Sequence, residues 1–293
     1  MSDYQYGSFR TFTEAIMDSS ASPLSHPFDN AIRLTGSNGH YQGQTTAPYA
    51  NMVGPFGGVL AGVMLKAVLQ HPQCQGEPVA LTVNFLAPVA DGDFTVDAKA
   101  VRTNRSTQHW YVELSQQGQV ALTATAVFAT RRETWSAPQT PYPGAPRSES
   151  VPAMPKVPGL PGFFANYDLR LVRGGIAPMP QAEARLPHCS DTLLWARDNP
   201  PRPLDFPALA ALSDIFFPRL FVRRQGPALI GTVSMSIIFH ADANTLARQG
   251  EQYLLGEARA HRFYNGYFDQ SAELWSSDGE LLVTTNQVVY YKE

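Results

Sequence analysis

Cysteine is scarce in this chain: only Cys74 and Cys189 occur among 293 residues, far apart and without a CxxC spacing. That excludes a disulfide framework and a cysteine-built zinc site. Basic runs are missing as well, and the net charge is −3, so the chain carries no electrostatic footprint for nucleic acid or an anionic membrane. Nowhere does an apolar stretch reach the roughly 18 residues that span a bilayer, so no membrane insertion is expected. The opening MSDYQYGSFRTFTEAIMDSS lacks the basic start, apolar core and small-residue cleavage site of a secretory signal. These absences together predict a cytoplasmic protein.

Several signatures of chemistry are also lacking. There is no GxSxG elbow for a serine hydrolase. The histidines at 26, 40, 71, 109, 188, 240 and 261 form no HxH or HExxH pair, so no metal-activated water is expected. Neither GxGxxG nor GxxxxGK[ST] occurs, which removes the usual arguments for a nucleotide cofactor. What remains is polar side chains acting directly on water.

Charged residues make up only 16% of the chain and apolar ones 44%, the balance of a globular protein with large buried surfaces. The length has room for two domains. From Ser136 to Gly162 proline recurs at positions 138, 141, 143, 146, 152, 155, 158 and 161, a density that forbids helix and central strand and marks a connector. The predicted organisation is therefore an N-terminal domain over 1–135, a linker over 136–162 and a C-terminal domain over 163–293.

Each side of the linker repeats one order of elements. GPFGGVLAGVMLKAVLQ (54–70) is apolar nearly all round at helical length, and strand-like runs follow at 79–87, 94–103, 109–116 and 120–131. In the second half the helical candidate runs from about Phe206 to Phe221, with strands at 229–240, 251–263, 266–277 and 280–292. Ser115 to Phe128 lies over Ser276 to Val289 at one constant offset, hairpin turn included, which suggests duplication of a single unit. The predicted class is α+β, with a curved antiparallel sheet wrapped around each long helix.

FGG at 56–58, FLAPV at 85–89, VRTNRST at 101–107, LSDIF at 212–216, GTVSMSIIFH at 231–240 and TTNQ at 284–287 carry a resemblance, in order and spacing, to the type II acyl-CoA thioesterases. The resemblance covers about His26 to Tyr291. It implies a double hot-dog fold, a place in lipid metabolism, and hydrolysis of an acyl-CoA thioester with no cofactor beyond the coenzyme A of the substrate. It further implies a catalytic set of Asp214, Thr232 and Gln287, with the acid as base and the other two orienting the water. By fold analogy it implies a homodimer or higher homo-oligomer, with a small-molecule substrate as the other partner.

The residues themselves support this set unevenly. Asp214 interrupts the apolar run LAALSDIFFPRL, where an ion costs several kcal/mol unless partners or water compensate it. Gln287 shares its strand face with Leu281, Val283 and Val289, a polar group among apolar neighbours. Thr232, however, alternates with Val233 and Met235 and so shares a phase with Ser234 and Ser236, which places it on a polar outer face. The Gly57 and Gly58 amides would serve as oxyanion donors if the first helix begins at that pair. Arg102 and Arg105 would contact coenzyme A phosphates, or be ordinary surface arginines. The aromatic cluster Phe216, Phe217 and Phe221 is read as core before acyl tunnel. Two other readings stay open: a hot-dog hydratase or dehydratase pairing the acid with His240, and a non-catalytic acyl-binding module.

Overall fold

The computed structural model describes residues 25–155, 159–176, 179–180, 183, 188–226 and 228–292. The N-terminal stretch 1–20 and positions 156–158 of the linker lie outside the described residues. A short helix α1 (Pro27–Ala31) leads into the hairpin β1 (Thr35–Ser37) and β2 (His40–Gln44), then helix α2 (Gly57–Leu69). Strands β3 (Glu77–Phe85), β4 (Asp93–Thr103), β5 (Thr107–Gln116) and β6 (Gln119–Ala129) complete the first half. The second half runs through β7 (Tyr167–Arg173), β8 (Thr192–Asp198), α3 (Phe206–Leu212), α4 (Arg219–Arg224) and β9 (Leu229–Phe239). It closes with α5 (Ala243–Gln249), β10 (Leu254–Arg259), β11 (Phe263–Tyr264), β12 (Tyr267–Trp275) and β13 (Leu281–Lys292).

All the strands join one antiparallel sheet in the order β1-β2-β4-β5-β6-β3-β9-β13-β12-β10-β8-β7, with β11 on β12. Read outward from the β3/β9 seam, the halves match strand for strand: two leading strands, a helix, then four strands, in the same spatial order. At the seam Leu81 faces Ile237 and Val83 faces Met235, while the Thr82 and Ser236 hydroxyls meet at 3.0 Å on the other face. Alternation sorts the two faces as expected. Gln108, Trp110, Val112 and Leu114 of β5 are buried, and His109 and Tyr111 between the first three are exposed.

The apolar girdle of α2 is buried on nearly every side, and its fully enclosed Val63, Met64, Leu65 and Val68 each contribute roughly 1.5–3 kcal/mol. Helix α2 packs on α3 with backbones in contact. A Cβ at Gly58 would stand 2.4 Å from the Ala211 carbonyl, and one at Gly62 would stand 3.1 Å from that of Pro207.

The helix expected over 206–221 is broken. It ends at Leu212 with Ser213 as C-cap, and a new helix starts after Pro218, whose ring cannot sit inside a helix. Asp214 therefore lies in the connecting turn. The leading strands of both halves, β1, β2, β7 and β8, and the short helices α1 and α5 lie outside the elements expected from the sequence. The proline-rich segment packs on the outer face of the second half's sheet: Trp195 Nε1 donates to the Pro146 carbonyl at 2.9 Å, and Val151 joins Val172, Leu193 and Leu255. The 3-10 turn Gly162–Asn166 then docks beside the start of α2, with Asn166 Nδ2 donating to the Pro48 carbonyl at 2.6 Å. Among the described residues no helix is long and apolar enough to cross a membrane.

Candidate active site

Asp214 sits where the end of α3 meets the start of α2. A Cβ on Gly57 would fall 2.8 Å from Asp214 Oδ2 and 3.6 Å from the Phe85 ring, so only glycine allows the carboxyl to come this close to the helix N-terminus. From the other side Gln287 Nε2 donates to Asp214 Oδ1 at 2.8 Å. Thr232 Oγ1 in turn donates to Gln287 Oε1 at 3.2 Å. The three candidates thus form one chain of hydrogen bonds.

Burial pushes the Asp214 carboxyl up to about 7, against the Gln287 amide and the Gly58 backbone N–H, which both favour the ionised form. Part of the residue still meets solvent. A carboxyl balanced near neutrality and reached by water is a suitable proton acceptor.

Thr232 faces Gln287 because β9 carries a bulge. In the β9/β13 ladder Gln287 pairs with Met235 and Val288 with Ser234, but Val289 pairs with Thr232. Val233 is the extra residue, 41% exposed. It reverses the side-chain phase, so Thr232 leaves the outer face of Ser234 and Ser236 and joins the inner face of Met235 and Gln287. Plain alternation, which placed it outside, is corrected by one inserted residue.

The first helix does begin at this glycine pair, and the Gly58 N–H lies near enough to Asp214 to favour its ionised form. Arg102 and Arg105 are not brought to the site. They lie at the β4/β5 turn, level with Glu77 through Ala129 and Thr107, whereas Phe85 marks the site end of β3. The eight steps from Glu77 to Phe85 span about 26 Å of strand. Nor is His240 brought to it: it follows β9 at the far end from Thr232 and contacts Thr284 at 3.2 Å, a residue on the face of β13 opposite Gln287. No histidine pairs with Asp214 among the described residues. Phe216 and Phe217 are buried core side chains, Phe216 closing on Gly256, where a Cβ would stand 2.7 Å from its ring.

Two neighbouring groups went unnoticed in the sequence. Gln270 on β12 pairs directly with Gln287 and is 3% exposed. Arg219, wholly buried, donates from Nε to Gln270 Oε1 at 2.9 Å and from Nη1 to Thr192 Oγ1 at 2.9 Å and the Ser190 and Ala258 carbonyls at 3.0 and 3.2 Å; Nη2 donates to the Phe217 carbonyl. All five acceptors are neutral. Burial pulls its guanidinium down to about 9, which leaves it charged at neutral pH. The signals were present: Arg219 is the second charge in LAALSDIFFPRL, and Gln270 alternates with Phe268, Ala272 and Leu274 as Gln287 does with its own apolar neighbours.

A helix-backed antiparallel sheet, here with a carboxyl, an amide and a hydroxyl in one chain of hydrogen bonds, places the chain among the hot-dog proteins. The chain matches the family models described as acyl-CoA thioesterase N-terminal domain over residues 46–129 and acyl-CoA thioesterase C-terminal domain over residues 142–291. It belongs to the type II acyl-CoA thioesterase family. It is similar to a conserved hot-dog protein of unknown function from Alicyclobacillus acidocaldarius, at 47% identity over 92% of this chain and 99% of that one, with a TM-score of 0.86. An acyl-CoA thioesterase II from Mycobacterium marinum shares the fold at 19% identity, covering 90% and 98% of the two chains, with a TM-score of 0.73. The fold alone does not choose a reaction, since a dehydratase domain from Pseudomonas fluorescens also matches at 13% identity over 92% and 99%, with a TM-score of 0.54. Among curated proteins none matches the chain.

Proposed function

We propose that this protein hydrolyses an acyl-CoA thioester by direct attack of water, within two tandem hot-dog units joined by the proline-rich linker. The observation that carries the reading is the chain Thr232 to Gln287 to Asp214, at 3.2 and 2.8 Å. Asp214 takes a proton from water while the water oxygen bonds to the thioester carbon and the C=O electron pair moves onto oxygen. When the intermediate collapses, the C–S bond breaks and its pair goes to sulfur. The protonated Asp214 then returns its proton to the thiolate, and the new carboxylic acid ionises. Gln287 keeps the carboxyl in place, and the Thr232 hydroxyl orients the water from the other side. The reading calls for no metal and for no cofactor apart from the coenzyme A of the substrate. It places the protein in the cytoplasm, in lipid metabolism, as a homodimer or larger assembly; Ile238, Val288, Tyr267 and Tyr290, each 40–49% exposed on the outer sheet face, offer apolar surface for a second copy.

The test is thiol release from a panel of acyl-CoAs by the wild type and Asp214→Asn. The amide cannot accept the proton, so a loss of about 10²–10⁴-fold is expected. Because the base must be ionised, wild-type kcat/KM should rise with pH and level off above about 7. Full activity in Asp214→Asn would remove the mechanism. Hydration of an enoyl-CoA without thiol release would turn the reading to a hydratase, and binding without turnover to an acyl-binding module.

A further inference from the structure

The proposed reaction creates an oxyanion, and the Gly58 N–H, one of the two donors expected for it, also lies near enough to Asp214 to favour the ionised carboxylate. Gln270 offers another. Its Oε1 is fixed by the Arg219 Nε–H, so the amide cannot turn over: the opposite orientation would set two donors against each other. Its Nε2 therefore faces away from Arg219, and it has no acceptor among the described residues. Nor is Nε2 one of the enclosed unpaired polar atoms, so it keeps contact with solvent-accessible space although the residue is 3% exposed.

Its place on the sheet gives that free donor a use. Gln270 and Gln287 are direct cross-strand partners, which puts their Cβ atoms about 4.5–5.5 Å apart on the inner face. The equivalent pair of the first half, which has no acid corresponding to Asp214, is Trp110 and Ala126. The amide pair occurs only in the half that carries the carboxyl. A buried cation is costly, and one whose five hydrogen-bond acceptors are all neutral, with the charge of Asp191 acting only from beyond them, does little for the core that an apolar side chain would not do better. Its contacts do fix the Asp214 turn, through the Phe217 carbonyl, and Gln270, through Nε.

Resting on the thioesterase reading, we infer that Gln270 is a further catalytic residue, whose Nε2–H donates to the thioester carbonyl oxygen as it becomes an oxyanion, and that Arg219 is the positioning residue that aims it. Gln270 makes and breaks no covalent bond. It lowers the energy of the charge that the attacking water creates.

The experiment compares wild type, Gln270→Met, Gln270→Glu and Arg219→Lys. Loss of one such donor is expected to lower kcat about 10²–10³-fold while KM stays within about threefold. Arg219→Lys should lose less in kcat, because a lysine can still donate to Oε1 but without the guanidinium's fixed fork. A structural role would not polarise the substrate, so the second readout is the infrared C=O stretch of an isotope-labelled acyl-CoA analogue with CH2 in place of sulfur. It should be lowered on the wild type and shift back toward its solution value on Gln270→Met. If the wild type turns over acyl-CoA while folded Gln270→Met or Gln270→Glu keeps its kcat within threefold and the carbonyl band does not move, the inference fails and the thioesterase reading stands. If the wild type releases thiol from no acyl-CoA, both fall.

Discussion

The acid in LAALSDIFFPRL is held at a cost that can be measured. Its carboxyl titrates near 7 in the folded chain, above the ordinary aspartate range it regains on unfolding. The folded protein therefore keeps this proton more tightly. That favours the native state below about pH 4, and the advantage is lost as pH rises toward 7, above which the penalty stays constant. A shift of this size bounds the cost at about 4 kcal/mol, and partial solvent contact brings it down to about 1–3 kcal/mol. Asp214→Asn keeps the acceptor for Gln287 Nε2 and removes the charge. It should melt above the wild type at pH 8, with the gap closing toward pH 4–5. Thermal unfolding at both pH values checks this, and a variant less stable than the wild type at pH 8 would show that the carboxylate is compensated in place. The substitution expected to remove most of the turnover is thus also expected to stabilise the fold.

At the level of the strand, one residue decides what the site contains. Val233 bulges from β9, and through it Thr232 reaches the inner face. Thr232→Val should lower kcat about 10–100-fold by removing the hydroxyl, and Thr232→Ser should keep most of the rate. An unbulged strand would point residue 233 inward, so the double variant Thr232→Val with Val233→Thr would then recover activity. With the bulge present the new hydroxyl stays outside, and thiol release should remain as low as in Thr232→Val alone. Recovery would mean that the strand is regular. This explains what the sequence could and could not tell. The α2 helix and the long strands were legible because their apolar periods are uninterrupted, and Gln287 was legible because it breaks such a period. Thr232 was carried only by the family resemblance, since alternation cannot register an inserted residue. The α3 boundary was misjudged by reading an apolar run through Pro218. Leading strand β8 is buried at nearly every position, so it lacks the alternation that marks a strand with one wet face. Gln270 breaks an apolar period as Gln287 does, and the ladder sets the two side by side.

Over the whole molecule, the two halves of the chain bring different groups to one place. The second half supplies Asp214, Thr232 and Gln287, and the first supplies the α2 N-terminus, where Gly57 makes room for the carboxyl and Gly58 favours its ionised form. The halves are also continuous in structure. β3 pairs with β9 at the centre of the sheet, Gly58 and Gly62 of α2 lie on the carbonyls of α3, and the 3-10 turn Gly162–Asn166 is anchored to the loop before α2. Cutting the chain in the linker and producing 1–135 and 136–293 separately would expose two central strand edges and the apolar helix faces that cover each other in the intact protein. Unpaired edges of this kind recruit other strands. Each fragment alone should self-associate or precipitate, and neither should release thiol. The second fragment would hold all three side chains of the proposed set and still lack the helix end that supports the base. Co-expression should restore a one-to-one complex with measurable activity, read by size-exclusion chromatography and thiol release together. A second fragment that is monomeric and fully active by itself would place the whole machinery in one half and reduce the first to packing.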